Sequence, residues 1–225
     1  SEEVLTNMCL AGMNVARLNF SHGTHEEHQK KIDLIKKVRE KLNLPIAIML
    51  DTKGPEYRIK TFENGGIILA EGDTFTFTTD DIIGNQEIVS VTYPGLTEDL
   101  DVGDTILLNN GLLSFKIIEI TAPNIVCKVI SGGELRNRKS MSFPGKVLKQ
   151  KFLSEQDKAD ILFGAKNDVD YIACSFVSLR QDLVDVREFL KENDISGIEL
   201  IAKIENQPGI DNIEEICNEC EGIMI

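Results

Sequence analysis

The chain has 225 residues, 42% of them hydrophobic, which supplies apolar mass for one large or two small domains. A formal net charge of −13 argues against nucleic acid as a partner, because phosphates repel it. No apolar run of about 18 residues occurs, so no helical membrane span is expected, and no signal peptide is read.

Ser1-Glu2-Glu3, followed by Val4, Leu5, Met8 and Leu10, predicts a capped helix over 2–11. Asn14–Leu18 reads as a short strand. Thr24 is the expected N-cap of the next helix, with Glu27 as its capping-box partner. That helix runs to Leu42 with Ile32, Ile35, Val38 and Leu42 on one face. Pro45 to Leu50 is an apolar strand ending in Asp51.

The character changes from about Ile59 to Phe143. Strand-like runs occur at Gly66–Ala70, Thr74–Thr79, Glu87–Val91, Thr105–Leu108, Leu113–Ile120 and Ile125–Ile130. Turn signals such as Asn109-Asn110-Gly111 separate them, and no long helical period appears. An inserted all-β domain is expected there. The alternation then returns: a helix from Ser154 to Lys166, a strand at Val169–Cys174, a helix at Leu179–Glu192, and a strand at Ile198–Ala202. One helix is expected over Asn206–Glu219, with Pro208 in its first turn, and a last strand from Gly222. Such alternation implies parallel strands joined by helical crossovers. Both ends read as cuts through a larger domain.

Five scattered cysteines read as reduced thiols of a cytosolic protein. Cys217 and Cys220 have a metal-type spacing but lack a second ligand pair, so they read as helix-end residues. His25 and His28 are expected at the surface of a helix start; Met8, Met13 and Met49 are expected in the core.

Four strands end on polar groups: Asn19 to Gly23, Asp51 to Glu56, Ser175-Phe176, and Lys203 to Asn206. In parallel α/β barrels the active site lies at the carboxyl ends of the strands. Residues two apart on a strand share a face, so Arg17, Asn19 and Ser21 form one set if the strand extends that far, and Lys203 and Glu205 another. A cation beside a carboxylate suits a phosphorylated acid with a divalent metal. The same spacing also suits a plain structural ion pair.

The segments Gly12–Gly23, Leu50–Glu56 and Ile201–Asn206 resemble, in order and spacing, three motifs of the pyruvate kinase family. Gly132-Gly133-Glu134 and Phe143-Pro144-Gly145 extend the resemblance over essentially the whole chain. It implies an α/β fold, an incomplete (β/α)8 TIM-type barrel with an inserted β-barrel lid. The boundaries are 1–58 for the first barrel part, 59–144 for the lid and 145–225 for the second barrel part. It also implies phosphoryl transfer from phosphoenolpyruvate to ADP, giving pyruvate and ATP, in a cytoplasmic protein whose complete form is a homotetramer. The cofactors implied are K⁺ and Mg²⁺ or Mn²⁺. Residue by residue, Arg17 and Lys203 act on the substrate phosphate and in catalysis. Asn19, Ser21, Asp51 and Thr52 bind K⁺, Glu205 binds Mg²⁺, and Glu56 marks K⁺ dependence. Asn19, Phe20, Ser21, His22, Arg58 and Lys139 approach the nucleotide.

The chain departs from that pattern at Asn109-Asn110, where the family usually has two aspartates, and at Ser140 to Ser142. Ser178 stands where arginine is frequent, with Arg180 two places on. By strand count the chain carries strands two to six of eight, so this piece alone is expected to be inactive. The competing readings are a non-catalytic piece acting in folding or binding, and a metal-dependent lyase or aldolase barrel. A lyase needs no nucleotide lid.

Overall fold

The computed structural model describes residues 1–225. In chain order the elements are α1 (Glu2–Leu10), β1 (Val15–Asn19), α2 (His25–Leu42), β2 (Ala47–Asp51), β3 (Gly66–Leu69), β4 (Thr74–Thr78) and β5 (Ile88–Ser90). There follow α3 (Leu96–Asp99), β6 (Thr105–Leu108), β7 (Leu113–Thr121), β8 (Asn124–Ser131), β9 (Gly133–Arg136) and β10 (Met141–Ser142). The last are α4 (Glu155–Lys166), β11 (Tyr171–Cys174), α5 (Arg180–Glu192), β12 (Glu199–Lys203), α6 (Gln207–Asp211), α7 (Ile213–Cys217) and β13 (Gly222–Met224). Contacts divide the chain into two units: Ser1–Pro55 with Phe152–Glu205 and Gly209–Ile225, and Glu56–Lys151 with Asn206–Pro208.

The first unit is built on a parallel sheet in the order β1-β2-β11-β12-β13. Its helices start where side chains satisfy the free N–H groups of the first turn. Thr24 and Glu27 form a reciprocal capping box on α2, and Ser154 and Asp157 form one on α4. α2 buries Ile32, Ile35 and Val38 and keeps its lysines outside. Ile48 and Leu50 of β2 point to the same core and are fully buried. Each such side chain contributes about 1.5–3 kcal/mol from leaving water. Gly164 lets α4 lie close to the sheet, since a Cβ there would come within 2.5 Å of Leu50 Cδ1.

The expectations for the last helix and for Met8 are corrected in this unit. The helix expected over Asn206–Glu219 is two short helices, α6 and α7, with Asn212 between them outside helical geometry. The Asn212 amide donates to the Ser178 carbonyl at 3.1 Å, a side-chain bond that competes with helix continuation. Met8 is 50% exposed, not core, because α1 turns Cys9 inward and leaves Val4, Met8 and Leu10 outside. Met13 and Met49 are partly buried, Met13 against the α2–β2 core.

The second unit holds a six-stranded sheet, β10-β6-β7-β8-β4-β5, and the antiparallel pair β3-β9. All pairs in the larger sheet are antiparallel except β4–β5. Alternation along β7 sends Leu113, Phe115 and Ile117 inward. Phe115 lies 5.2 Å from Phe77 and 6.1 Å from Phe75, ring centre to ring centre, and all three rings are fully buried. β9, β10 and the single-turn helix α3 were not read from the sequence, so this unit is β-rich with one helical turn. Asn109 and Asn110 both have positive φ, followed by Gly111. Asparagine tolerates that left-handed geometry better than most residues.

Candidate active site

Register sets the first site residues side by side. Asn19 of β1 pairs with Asp51 of β2, which pairs with Ala173 of β11, which pairs with Ile201 of β12. Arg17 and Asn19 share the exposed face of β1, whose strand ends at Asn19, so Ser21 lies in the following turn. Lys203 lies two residues beyond Ile201 on the same face of β12.

Asp51 is 1% exposed and is the centre of a charge cluster. Its Oδ2 accepts from Arg17 Nε at 2.7 Å and lies 2.5 Å from Arg17 Nη2, so one carboxylate oxygen serves two guanidinium nitrogens. Its Oδ1 lies 3.0 Å from Lys203 Nζ. Lys203, 9% exposed, also lies 3.3 Å from Glu205 Oε1. Glu205 Oε2 in turn accepts from the Phe176 backbone N–H at 3.0 Å. Two cations thus balance two carboxylates across β1, β2 and the end of β12, with β11 between the last two, and a small anion can be received only by rearranging that balance.

The ends of β2 and β11 are stitched together. Thr52 N–H donates to Ala173 O at 3.0 Å, and Ser175 N–H to Thr52 Oγ1 at 3.1 Å. The Ser175 hydroxyl donates to Thr52 O at 2.6 Å and accepts from Lys203 Nζ at 2.7 Å. Ser175 stood at a strand tip in the sequence, but nothing there assigned it a partner. Gly54 passes so close that a Cβ would meet Ser175 O at 2.5 Å, and its φ is +66°. Gly54→Ala is therefore expected to lower stability by about 1–3 kcal/mol, read as a lower urea midpoint. An unchanged midpoint would show that the loop has room to shift.

A family model for the pyruvate kinase barrel domain matches residues 1–225. The chain belongs to the pyruvate kinase family. It is 44% identical over 227 residues to pyruvate kinase of Geobacillus stearothermophilus, covering 100% of this chain and 39% of that protein. To pyruvate kinase of Clostridium perfringens it is 42% identical over 226 residues, covering 48% of the relative. A crystal structure of a pyruvate kinase from Cryptosporidium parvum superposes with a TM-score of 0.92 at 39% identity, covering 100% of this chain and 48% of that one. The first unit is thus an α/β sheet of the pyruvate kinase barrel type. The chain spans 39% to 48% of the length of these relatives.

The other pyruvate kinase motif residues fall in two places. Asn19 Oδ1 accepts from Ser21 N–H at 2.9 Å, which folds the 19–23 loop back on itself. The loop is then held from below by His28. Contrary to expectation, His28 is buried, at 1% exposed, because residues 28, 32 and 35 share the inner face of α2. Its ring stacks on Phe20 at 3.9 Å, and its Nε2–H donates to the His22 carbonyl at 2.9 Å, leaving Nδ1 without a partner. His25 is half-buried, 2.6 Å from buried Asp160 and stacked on Phe163. Helical periodicity could have revealed His28, whereas the pairing of His25 with α4 was not legible.

Arg58 and Lys139 belong to the second unit. The Arg58 guanidinium forms an ion pair with Glu56 and donates to the Arg138 carbonyl. The Lys139 carbonyl accepts from Ile59 N–H at 3.1 Å. Arg180, which follows the altered Ser178, pairs with Glu219 at 2.7 Å and so is committed to a structural contact. No group of three or more His, Cys, Asp or Glu side chains is placed to hold a metal. Cys217 and Cys220 are free thiols, as are Cys9, Cys127 and Cys174. Burial pushes the Cys127 thiol up to about 12 and raises that of Cys174 as well, so both stay protonated. No helix is long and apolar enough to cross a membrane.

Proposed function

We propose that the protein carrying this chain transfers a phosphoryl group between phosphoenolpyruvate and ADP, yielding pyruvate and ATP in the cytoplasm. The observation that carries this reading is the Arg17–Asp51–Lys203–Glu205 cluster at the carboxyl ends of neighbouring parallel strands. Phosphoryl transfer needs charge placed around three equatorial oxygens rather than covalent help from the protein. Arg17 presents a planar fork to the substrate phosphate, and Lys203 presents a point charge to the phosphoryl group in transit. The Lys203 ammonium has three donors and three acceptors: Ser175 at 2.7 Å, Asp51 at 3.0 Å and Glu205 at 3.3 Å. A phosphate oxygen replaces the longest of these and frees a Glu205 oxygen.

The donor sets fit the cations proposed for the site. Asn19, Ser21, Asp51 and the Thr52 carbonyl offer oxygen ligands of the kind K⁺ takes. Glu205 offers one carboxylate, and Mg²⁺ or Mn²⁺ is commonly held by one or two carboxylates plus substrate phosphates. When bound, these cations supply the positive charge that offsets the incoming anion, since the cluster alone is neutral. Nucleotide contact is assigned to Asn19, Phe20, Ser21 and His22, and to Arg58 and Lys139. The β-rich insert, taken as residues 59–144 between barrel parts 1–58 and 145–225, acts as a lid, and the assembled protein is a homotetramer.

A coupled assay of phosphoenolpyruvate and ADP, with Mg²⁺ and with or without K⁺, tests the reading on the complete protein bearing this chain. Turnover that depends on K⁺ is expected. A complete protein that consumes phosphoenolpyruvate without forming ATP would favour the lyase alternative.

A further inference from the structure

We propose that Ser175 is a positioning residue that couples the K⁺ shell to Lys203. The inference rests on the roles proposed above for Lys203 and Thr52. Ser175 is 2% exposed, and its hydroxyl stands between two groups with different tasks. It accepts from Lys203 Nζ at 2.7 Å and donates its one proton to Thr52 O at 2.6 Å. A second acceptor, Asp51 Oδ1, waits at 3.2 Å.

The chain of bonds has a direction. Were a cation held at the Thr52 carbonyl, that oxygen would share its lone pairs between the cation and the Ser175 hydroxyl. The hydroxyl can then turn its proton to Asp51 Oδ1 while its oxygen continues to accept from Lys203. Asp51 Oδ1 also faces Lys203 at 3.0 Å, so both routes report the state of the cation shell to the same ammonium. Ser175 is the only neutral acceptor among the three that hold Lys203; the other two are carboxylates. Without it, one ammonium donor is left unpaired in a buried site, and the ammonium is drawn toward Asp51 and Glu205. Its backbone is fixed independently, through Ser175 N–H to Thr52 Oγ1 at 3.1 Å, so removal of the hydroxyl leaves that bond and the Thr52 N–H to Ala173 O bond in place.

The test uses the complete protein with Ser175→Ala and Ser175→Cys. The first readout is the rise in melting temperature on titrating KCl at constant ionic strength, with tetramethylammonium as the balancing cation. Partners in an outer shell typically contribute 10–100-fold, so half-saturating K⁺ is expected to rise by about that factor in Ser175→Ala and by less in Ser175→Cys. The second readout is steady-state turnover: kcat falls by about 10–100-fold while KM for phosphoenolpyruvate stays near wild type. Unchanged half-saturation in both variants, against a K⁺-responsive wild type, overturns this inference and leaves the proposed function standing. A wild type that neither responds to K⁺ nor turns over overturns both. Loss of folding in both variants, seen by circular dichroism, also overturns it, because the hydroxyl then serves the fold.

Discussion

Replacing Lys203 by methionine is expected to lower kcat by about 10²–10³ in the complete protein, with its circular dichroism spectrum unchanged. The loss follows from removing a fixed charge in a site where Lys203 is only 9% exposed and water cannot stand in for it. The fold is expected to survive because each carboxylate keeps another partner. Asp51 retains the Arg17 fork, and Glu205 retains the Phe176 N–H. Methionine is the better replacement than alanine, since it fills the volume of the stem and separates charge from packing. Lys203→Ala is expected to lose activity to the same degree and to cost more stability. Turnover near wild type in either variant would remove Lys203 from the chemistry and leave it as a structural ion-pair partner.

Truncating Phe115 has the largest expected effect on stability. Phe115→Ala should destabilise the second unit by about 3–5 kcal/mol, because a fully buried ring is replaced by a cavity between Phe75 and Phe77. The neighbouring Ile118 provides the control. It lies on the same strand, is 48% exposed, and its change to alanine should stay within about 0.5 kcal/mol. Urea unfolding followed by circular dichroism compares the two. Equal small effects would mean that the phenylalanine cluster packs loosely and that β7 is held by its hydrogen bonds.

Local features were legible in the amino-acid order. The capping box at Thr24 is legible from residue type and spacing, and the structure forms it; at Ser154 the sequence gives the helix start, and the structure adds a capping box with Asp157. Strand β6 has the bounds expected, and β1 and β2 differ from expectation by one or two residues at each end. Where the reading failed, side-chain contacts and packing prevailed over what residue type alone suggested. The Asn212 amide reaches Ser178 and divides the last helix in two. His28 turns inward under the 19–23 loop although its polarity suggested the surface. β9 and β10 are too short and too polar to signal strands, and they form because β3 and β6 supply hydrogen-bond partners.

Residue order along the chain suffices for helix starts, strand alternation and the motifs that place this chain in its family. Those signals come from groups within a turn or a strand of one another, and short-range hydrogen bonding and side-chain direction express them wherever the segment lies. Parallel pairing settles the rest. It places Arg17 against Asp51, 34 residues away, and brings Ser175 to Asp51 across 124 residues. Sheet register, not local spacing, decides which side chains meet, and a slip of one residue would turn each of them to the opposite face.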